Sequence, residues 1–247
     1  MRVTASRSGI LSECRYFARD DVPWGERGDT LYSTRGTMEH AFAEHILGGG
    51  EVDTTPRFRQ AMRKEVADWL DIQRTSTTIA EVPFALNLET GAARRLPKTL
   101  HREYMGALPE EFCGTADVVT PFPDYVEIFD FVYGWRWDYK VAQQRALCLM
   151  AARAFGVTRA TYSIVRLSDS DPFIDVVANA DIDDIELHMI HGELQGWFAA
   201  VRGSRPVPGQ HCLYCPAKLA CPETQQPVLF PQPAPNHKGL VMVEGRR

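Results

Sequence analysis

The sequence predicts an α/β domain in which helices cover a mixed central sheet. Two observations carry that expectation. Segments with helical spacing and segments that read as strands follow one another in the order helix, helix, strands, helix, strands, helix. The 247 residues are 45% hydrophobic and 24% charged, which supplies apolar material for a real core. One domain over residues 1–222, followed by a proline-rich tail over 223–247, is the expected organisation, and no internal repeat divides it.

Taken in order, the first 35 residues are polar and loop-rich, apart from a helical turn expected over Ile10 to Phe17. Met38, Ala41, Phe42, His45 and Ile46 mark a helix from Thr37 to Leu47, and Gly48-Gly49-Gly50 ends it. Pro56 opens a second helix to about Gln73, with Phe58, Met62, Val66, Trp69 and Leu70 on one stripe. Thr77 to Leu88, Gly114 to Thr120 and Tyr125 to Tyr133 read as strands, with Pro121 and Pro123 at the turn between the last two. An Ala-, Leu- and Met-rich helix is expected from about Asp138 to Phe155. Ala160 to Leu167 and Phe173 to Ala178 read as two more strands. A last helix, Asp181 to Val201, carries Asp181, Asp183, Asp184 and Glu186 where the macrodipole favours acids. Residues 206–235, dense in proline and carrying the three late cysteines, read as a tied-down loop and then a tail.

Composition excludes several classes. No window approaches 18 consecutive apolar residues, and Met1 to Ser6 lacks the apolar stretch of an export signal, so a soluble cytoplasmic protein is expected. The net charge of −5 argues against nucleic-acid binding through bulk charge, though a local basic groove is compatible with it. Six cysteines in a chain this long, without an export signal, do not read as a disulfide framework.

Their positions are more informative than their number. His211-Cys212-Leu213-Tyr214-Cys215-Pro216, followed by Cys221-Pro222, spells C-x2-C-x5-C. A close pair of this kind presents two thiolates to one metal, and zinc and iron–sulfur clusters both suit such ligands. Three thiolates are one short of a closed tetrahedral site. The fourth ligand is to be found among His211, Cys14, Cys113 and Cys148. Cys113 and Cys148 lie in apolar runs and read as core thiols, which leaves Cys14, on the polar N-terminal segment, the better candidate.

Three other places carry hard-ligand chemistry. Gly36-Thr37-Met38-Glu39-His40 opens the first helix, with Glu44 one turn beyond His40. Asp117, in Gly114-Thr115-Ala116-Asp117, and Asp130, in Glu127-Ile128-Phe129-Asp130-Phe131, each put a carboxylate inside an otherwise apolar strand. That is costly unless the acid is paired or ligates a cation. Two such acids on neighbouring strands, with a histidine, make a site for Mg²⁺ or Mn²⁺.

The order Cys14, Gly36-x3-His40, Gly114-x2-Asp117, Asp130-Phe131, Gln144, Cys212-x2-Cys215-x5-Cys221 resembles the RecB-type nucleases of the PD-(D/E)xK superfamily. It is most similar to their iron–sulfur branch, which includes CRISPR-adaptation exonucleases and related phage exonucleases. The resemblance spans residues 4–222, and the split cysteine set is its most specific element. It implies a restriction-endonuclease-like core and a [4Fe–4S] cluster held by Cys14, Cys212, Cys215 and Cys221, which would join the N- and C-terminal segments. It also implies a catalytic Mg²⁺ or Mn²⁺ on His40, Asp117, Asp130 and the Phe131 backbone carbonyl. The implied chemistry is phosphodiester hydrolysis on DNA, at ends or in single strands, with a protein partner in a DNA-processing or defence complex.

The chain departs from the pattern in two places. A lysine normally stands two residues after the second acid, and here that residue is Val132. The family's Gln is followed four residues on by Tyr, and here Gln144 is followed by Cys148. Lys140, one helical turn before Gln144, shares its face and is placed to deliver the missing ammonium from the helix. The alternative is a silent relative that binds DNA or a partner without cutting. A redox protein is a third reading, one that leaves the acids without a purpose. For DNA contact the sequence offers Arg94, Arg95 and Lys98 in one connection, and Arg136 beside Trp135, where arginine and exposed aromatics suit single strands.

Overall fold

The computed structural model describes residues 3–25, 38, 41–42, 44–47, 57–98, 104–133, 138–167, 174–213 and 215–225. The expected strands assemble into one six-stranded mixed sheet. Its strands are β1 (Ile79–Leu86), β2 (Ala93–Arg95), β3 (Phe112–Pro121), β4 (Val126–Tyr133), β5 (Ala160–Leu167) and β6 (Ile174–Ile182), in the spatial order β2-β1-β3-β4-β5-β6. All neighbours pair antiparallel except β4 and β5, which run parallel from Val126↔Ala160 to Tyr133↔Leu167. A parallel pair needs a long crossover. The helix expected between these strands, Asp138–Phe155, supplies it. The described helices are α1 (Ser8–Glu13), α2 (Arg57–Gln73), α3 (Asp138–Phe155), α4 (Asp184–Ala199) and the short α5 (Pro222–Gln225). Residues 41–42 and 44–47 are helical as well.

Strand alternation sorts the core onto the two faces of the sheet. Val119, Val126, Ile128, Val132 and Ile164 join Leu147 and Met150 of α3, Leu11 of α1 and Leu187 and Leu194 of α4. Val118, Phe129, Phe131 and Val165 instead meet Val66 and Leu70 of α2 together with Phe42 and Ile46. Trp69 closes that second layer edge-on against Phe129, with ring centroids 5.2 Å apart. The β3–β4 hairpin turns at Phe122-Pro123-Asp124-Tyr125, where the Phe122 and Tyr125 rings stack at 4.4 Å.

Two boundaries differ from expectation. The acids over 181–186 do not all belong to the helix. β6 runs on to Ile182, and Asp183 is the N-cap of α4. Its carboxylate accepts from the Glu186 N–H while the Glu186 side chain accepts from the Asp183 N–H, a capping box that starts the helix at Asp184. The edge strand β2 has no counterpart in the sequence reading, because Ala93-Arg94-Arg95 carries no strand signature. It forms because the Asn87–Ala92 turn returns the chain alongside β1.

The N-terminal segment is woven into this frame. Thr4 bridges Cys113 in parallel, and Ala5 sits where β3 and α3 come together. A Cβ at Gly114 would lie 2.6 Å from Ala5 Cβ and 2.8 Å from Leu147 Cδ2. Only glycine admits that approach. Gly114→Ala is therefore expected to lower stability by about 1–3 kcal/mol. Thermal denaturation checks this, the expected fall in Tm being about 2–4 °C per kcal/mol for a chain of this size. An unchanged Tm would show that α3 can back away from β3 without cost.

Candidate functional site

The β3–β4 ladder ends with the pair Val118↔Phe129. The next residue on each side is an acid, Asp117 on β3 and Asp130 on β4, so both carboxylates stand where the two strands stop pairing. Both are buried, at 6% and 0% exposure. The Phe131 N–H donates to Asp117 Oδ2 at 2.8 Å. Asp130 takes its partners from α3: the Gln143 amide donates to Oδ1 at 3.4 Å, and Lys140 Nζ lies 3.1 Å from Oδ2. Lys140 thus brings its ammonium from the helix to the second acid. Val132, two residues beyond Asp130 on the same strand face, is packed into the core between sheet and helices.

Gln144 behaves differently from Gln143. It is fully buried, and among the described residues neither its amide nitrogen nor its oxygen has a hydrogen-bond partner. Such a group is costly unless something satisfies it. Cys148, one turn further, is a core thiol whose pKa burial pushes far up. His40 lies outside the described residues, as do Trp135 and Arg136. The described part of the hard-ligand set, two carboxylates, suits Mg²⁺ or Mn²⁺.

Sequence reasoning passed over Glu81. It stands on β1 between the pairs Ala80↔Val118 and Val82↔Ala116, the register position facing Asp117, and that pair is missing from an otherwise continuous ladder. Its φ of 50° is left-handed, rare for a residue with a side chain. Strain of this kind gathers at functional sites. An acid inside the apolar run Ile79-Ala80-Glu81-Val82 was the signal that would have found it.

The basic residues of the connection are engaged within the fold. Arg94 Nη2 is 2.7 Å from the buried Glu111 carboxylate and donates to the Gly106 carbonyl. Lys98 pairs with Glu44. Arg95 lies over the Phe155 ring, 5.3 Å from its centroid.

The four cysteines singled out in the sequence line one cavity, beside Phe17 and His211. No two of the six cysteines, all of them among the described residues, form a disulfide. Cys14 caps the end of α1, with its N–H on the Ile10 carbonyl, and is buried. Cys212 ends up in the turn Gln210–Leu213, while Cys215 and Cys221 flank a second turn, Lys218–Ala220. Burial pushes the Cys212 and Cys215 thiols up, and the negative charges that Cys14 and Cys221 would carry push the same way. Thiolates are the donor type that zinc and iron–sulfur clusters take, so the kind of donor, though not its arrangement, suits soft metal chemistry. Among the described residues, no group of three or more His, Cys, Asp or Glu side chains is arranged to hold a metal ion as it stands.

A family model for proteins of unknown function, DUF2800, matches residues 25–232. The chain belongs to the DUF2800 family. No protein of curated function matches it significantly. Among solved structures, this DUF2800 chain is similar to SSO0001, at 11% identity and a TM-score of 0.38 over 87% of this chain and 84% of that one. It is also similar to the alkaline exonuclease LHK-Exo of Laribacter hongkongensis, at 13% identity and a TM-score of 0.29 over 81% and 87% of the two chains. A phage-related exonuclease from Haemophilus somnus 129PT gives 14% identity and a TM-score of 0.30 over 80% and 91%. Likenesses this distant do not establish a shared fold or a shared activity. Among the described residues, no helix of this DUF2800 protein is long and apolar enough to cross a membrane.

Proposed function

We propose that the chain is a cytoplasmic, divalent-metal-dependent deoxyribonuclease, with a restriction-endonuclease-like core, that hydrolyses phosphodiester bonds at DNA ends or in single strands. The observation that carries this reading is the meeting of Asp117, Asp130 and Lys140: two buried acids at the end of a strand pair, with an ammonium 3.1 Å from the second. In this reading Asp117 and Asp130, with His40 and the Phe131 carbonyl, would hold Mg²⁺ or Mn²⁺. When bound, the cation supplies charge to the scissile phosphate and acidifies a water. Lys140 neutralises Asp130 and donates to the attacking or leaving oxygen, the part that a lysine at position 132 would otherwise play. Gln143 fixes the other oxygen of Asp130, and the Phe131 N–H orients Asp117. Gln144 offers a buried amide to the reacting groups.

In the same reading Cys14, Cys212, Cys215 and Cys221 hold a [4Fe–4S] cluster that ties α1 to the C-terminal turns. The cavity they share supports this. Arg94, Arg95 and Lys98 are weaker candidates for DNA contact, since each already has a partner. The rival reading, a silent relative that binds DNA or a partner protein in a DNA-processing complex, rests on Val132, an apolar core residue where an ammonium is expected.

End-labelled single- and double-stranded DNA, incubated anaerobically with Mn²⁺ or Mg²⁺, tests the two. Cleavage is expected from the wild type and a loss of about 10²-fold or more from Asp117→Asn, since one acid of the set then carries no charge. Binding without cleavage by cluster-loaded wild type would favour the silent relative.

A further inference from the structure

The parallel pair of the sheet brings a cation to the acids from a third strand. β4 and β5 run side by side with Asp130↔Ile164 and Val132↔Arg166 in register. Partners on neighbouring strands point to the same face of a sheet. Val132 and Ile164 lie in the core layer with α3, while Phe131 and Val165 lie in the other. Arg166 therefore shares the face of Asp130. With strands about 4.8 Å apart and alternate residues about 6.6 Å apart, its Cα stands about 8 Å from that of Asp130. We propose that Arg166, steadied by Asp175, binds the phosphate next to the reacting one and so holds a DNA strand across β4 and β5. This inference rests on the DNA reading given above and needs no bound metal.

The side chain is held for such a task. Arg166 Nη2 donates to Asp175 Oδ2 at 2.6 Å, across the register pair Arg166↔Asp175 of β5 and β6. A guanidinium carries five N–H donors in a rigid fork, so one carboxylate can fix its plane while it binds a phosphate as well. On this face β5 is otherwise apolar: Ala160, Tyr162 and Ile164 are buried in the core, and the arginine comes where the strand passes the acids. The Arg166 side chain keeps 19% exposure and that of Asp175 42%, so the pair lies at the rim, where a polyanion can reach it. A rim ion pair contributes little to stability, which leaves binding to account for a charge on this strand face. Arg94 differs, since its carboxylate partner is buried and its strand, β2, is an edge of the sheet away from β4. Single-stranded nucleic acid is held by fixed cations that track its backbone, the part that Arg166 plays beside Asp117 and Asp130.

The test measures binding of a short fluorescently labelled oligothymidylate by anisotropy, in EDTA and over a series of salt concentrations. Wild type is compared with Arg166→Gln, Arg166→Lys and Asp175→Asn. Arg166→Gln is expected to bind about tenfold or more weakly. Its slope of log K against log salt should be shallower by about 0.7, the share of one phosphate contact in a single strand. Asp175→Asn breaks the same ion pair but keeps the arginine, so it should keep the slope. A folded Arg166→Gln protein with the wild-type slope overturns the inference. An equal loss of slope in Asp175→Asn also overturns it, since the pair would then be a structural tie alone. If Arg166→Gln fails to fold, Arg166→Lys decides: it keeps the charge and the slope but loses the fork, and an affinity equal to the wild type's overturns the proposal. A wild type that does not bind DNA overturns both this inference and the DNA reading. One that binds through Arg166 yet does not cut when Mn²⁺ is added supports the inference and favours the silent relative, so the two failures are distinct.

Discussion

Lys140→Ala is expected to slow DNA cleavage by about 10²–10⁴-fold, the range that a positioned proton donor or a preorganised charge contributes. Asp130 is essentially inaccessible, and Lys140 brings the ammonium to its Oδ2. Removing that ammonium costs twice: the reacting oxygens lose a donor, and a buried carboxylate loses its counter-charge. The second effect is a matter of stability, about 3–5 kcal/mol for a fully buried pair and less here because Lys140 is about one-third exposed. Tm must therefore be measured beside the rate. Lys140→Arg keeps the charge and should retain the fold while losing part of the rate, since a guanidinium differs from an ammonium in shape and donors. The double variant Val132→Lys, Lys140→Ala asks whether an ammonium two residues beyond Asp130 restores cleavage from the strand. Wild-type cleavage by a folded Lys140→Ala protein would remove lysine from the chemistry.

Cys215→Ala is expected to yield a colourless, poorly soluble protein with little iron. In the cluster reading, losing one of four ligands would open the cluster, and metal-binding free energy in such a site is folding free energy. The segments joined are far apart in the chain: Glu13 and His211, beside Cys14 and Cys212, are separated by 198 residues. Closing so long a loop contributes on the order of 2–5 kcal/mol when done covalently, and a cluster does the same kind of work. Cys148→Ala is the control. Its thiol is buried in the core with the α3 residues, so that variant should keep the cluster and the colour. Iron content, visible absorption and Tm read both variants. A stable, fully folded Cys215→Ala protein would show that the two chain ends are held together by packing alone.

The parts legible in the sequence were those written in periodicity. α2, α3, β1, β3, β4 and β5 follow from apolar spacing and fall within a few residues of expectation. β2 did not, because an alanine and two arginines pair only when the preceding turn places them beside β1. The start of α4 was obscured by a run of acids, of which Asp183 alone has the reciprocal bond that stops the strand and begins the helix.

At the site, Asp117 and Asp130 were visible as charges in apolar strands. Their convergence depends on register, which sequence does not reveal. Glu81 carried the same signal, an acid in an apolar run, and was passed over; only its backbone angle and its register position mark it apart in the structure. Gln143 was hidden because the expected motif pointed at its neighbour, and only the rotation of α3 decides which of the two amides reaches Asp130. The grouping of Cys14 with the late cysteines came from setting aside the core thiols Cys113 and Cys148 and then from the family resemblance, since no local pattern links residues so distant.

That distance also has a meaning in time. A ribosome adds about 5–20 residues per second, so Cys14 and Glu13 wait on the order of 10–40 s before His211 and its neighbours emerge. During that interval Cys14 waits without the three late cysteines, while strands and helices form behind it. In the cluster reading, metal loading must then wait for the three late cysteines, and a cell starved of iron would accumulate chains whose cysteine cavity is unfilled.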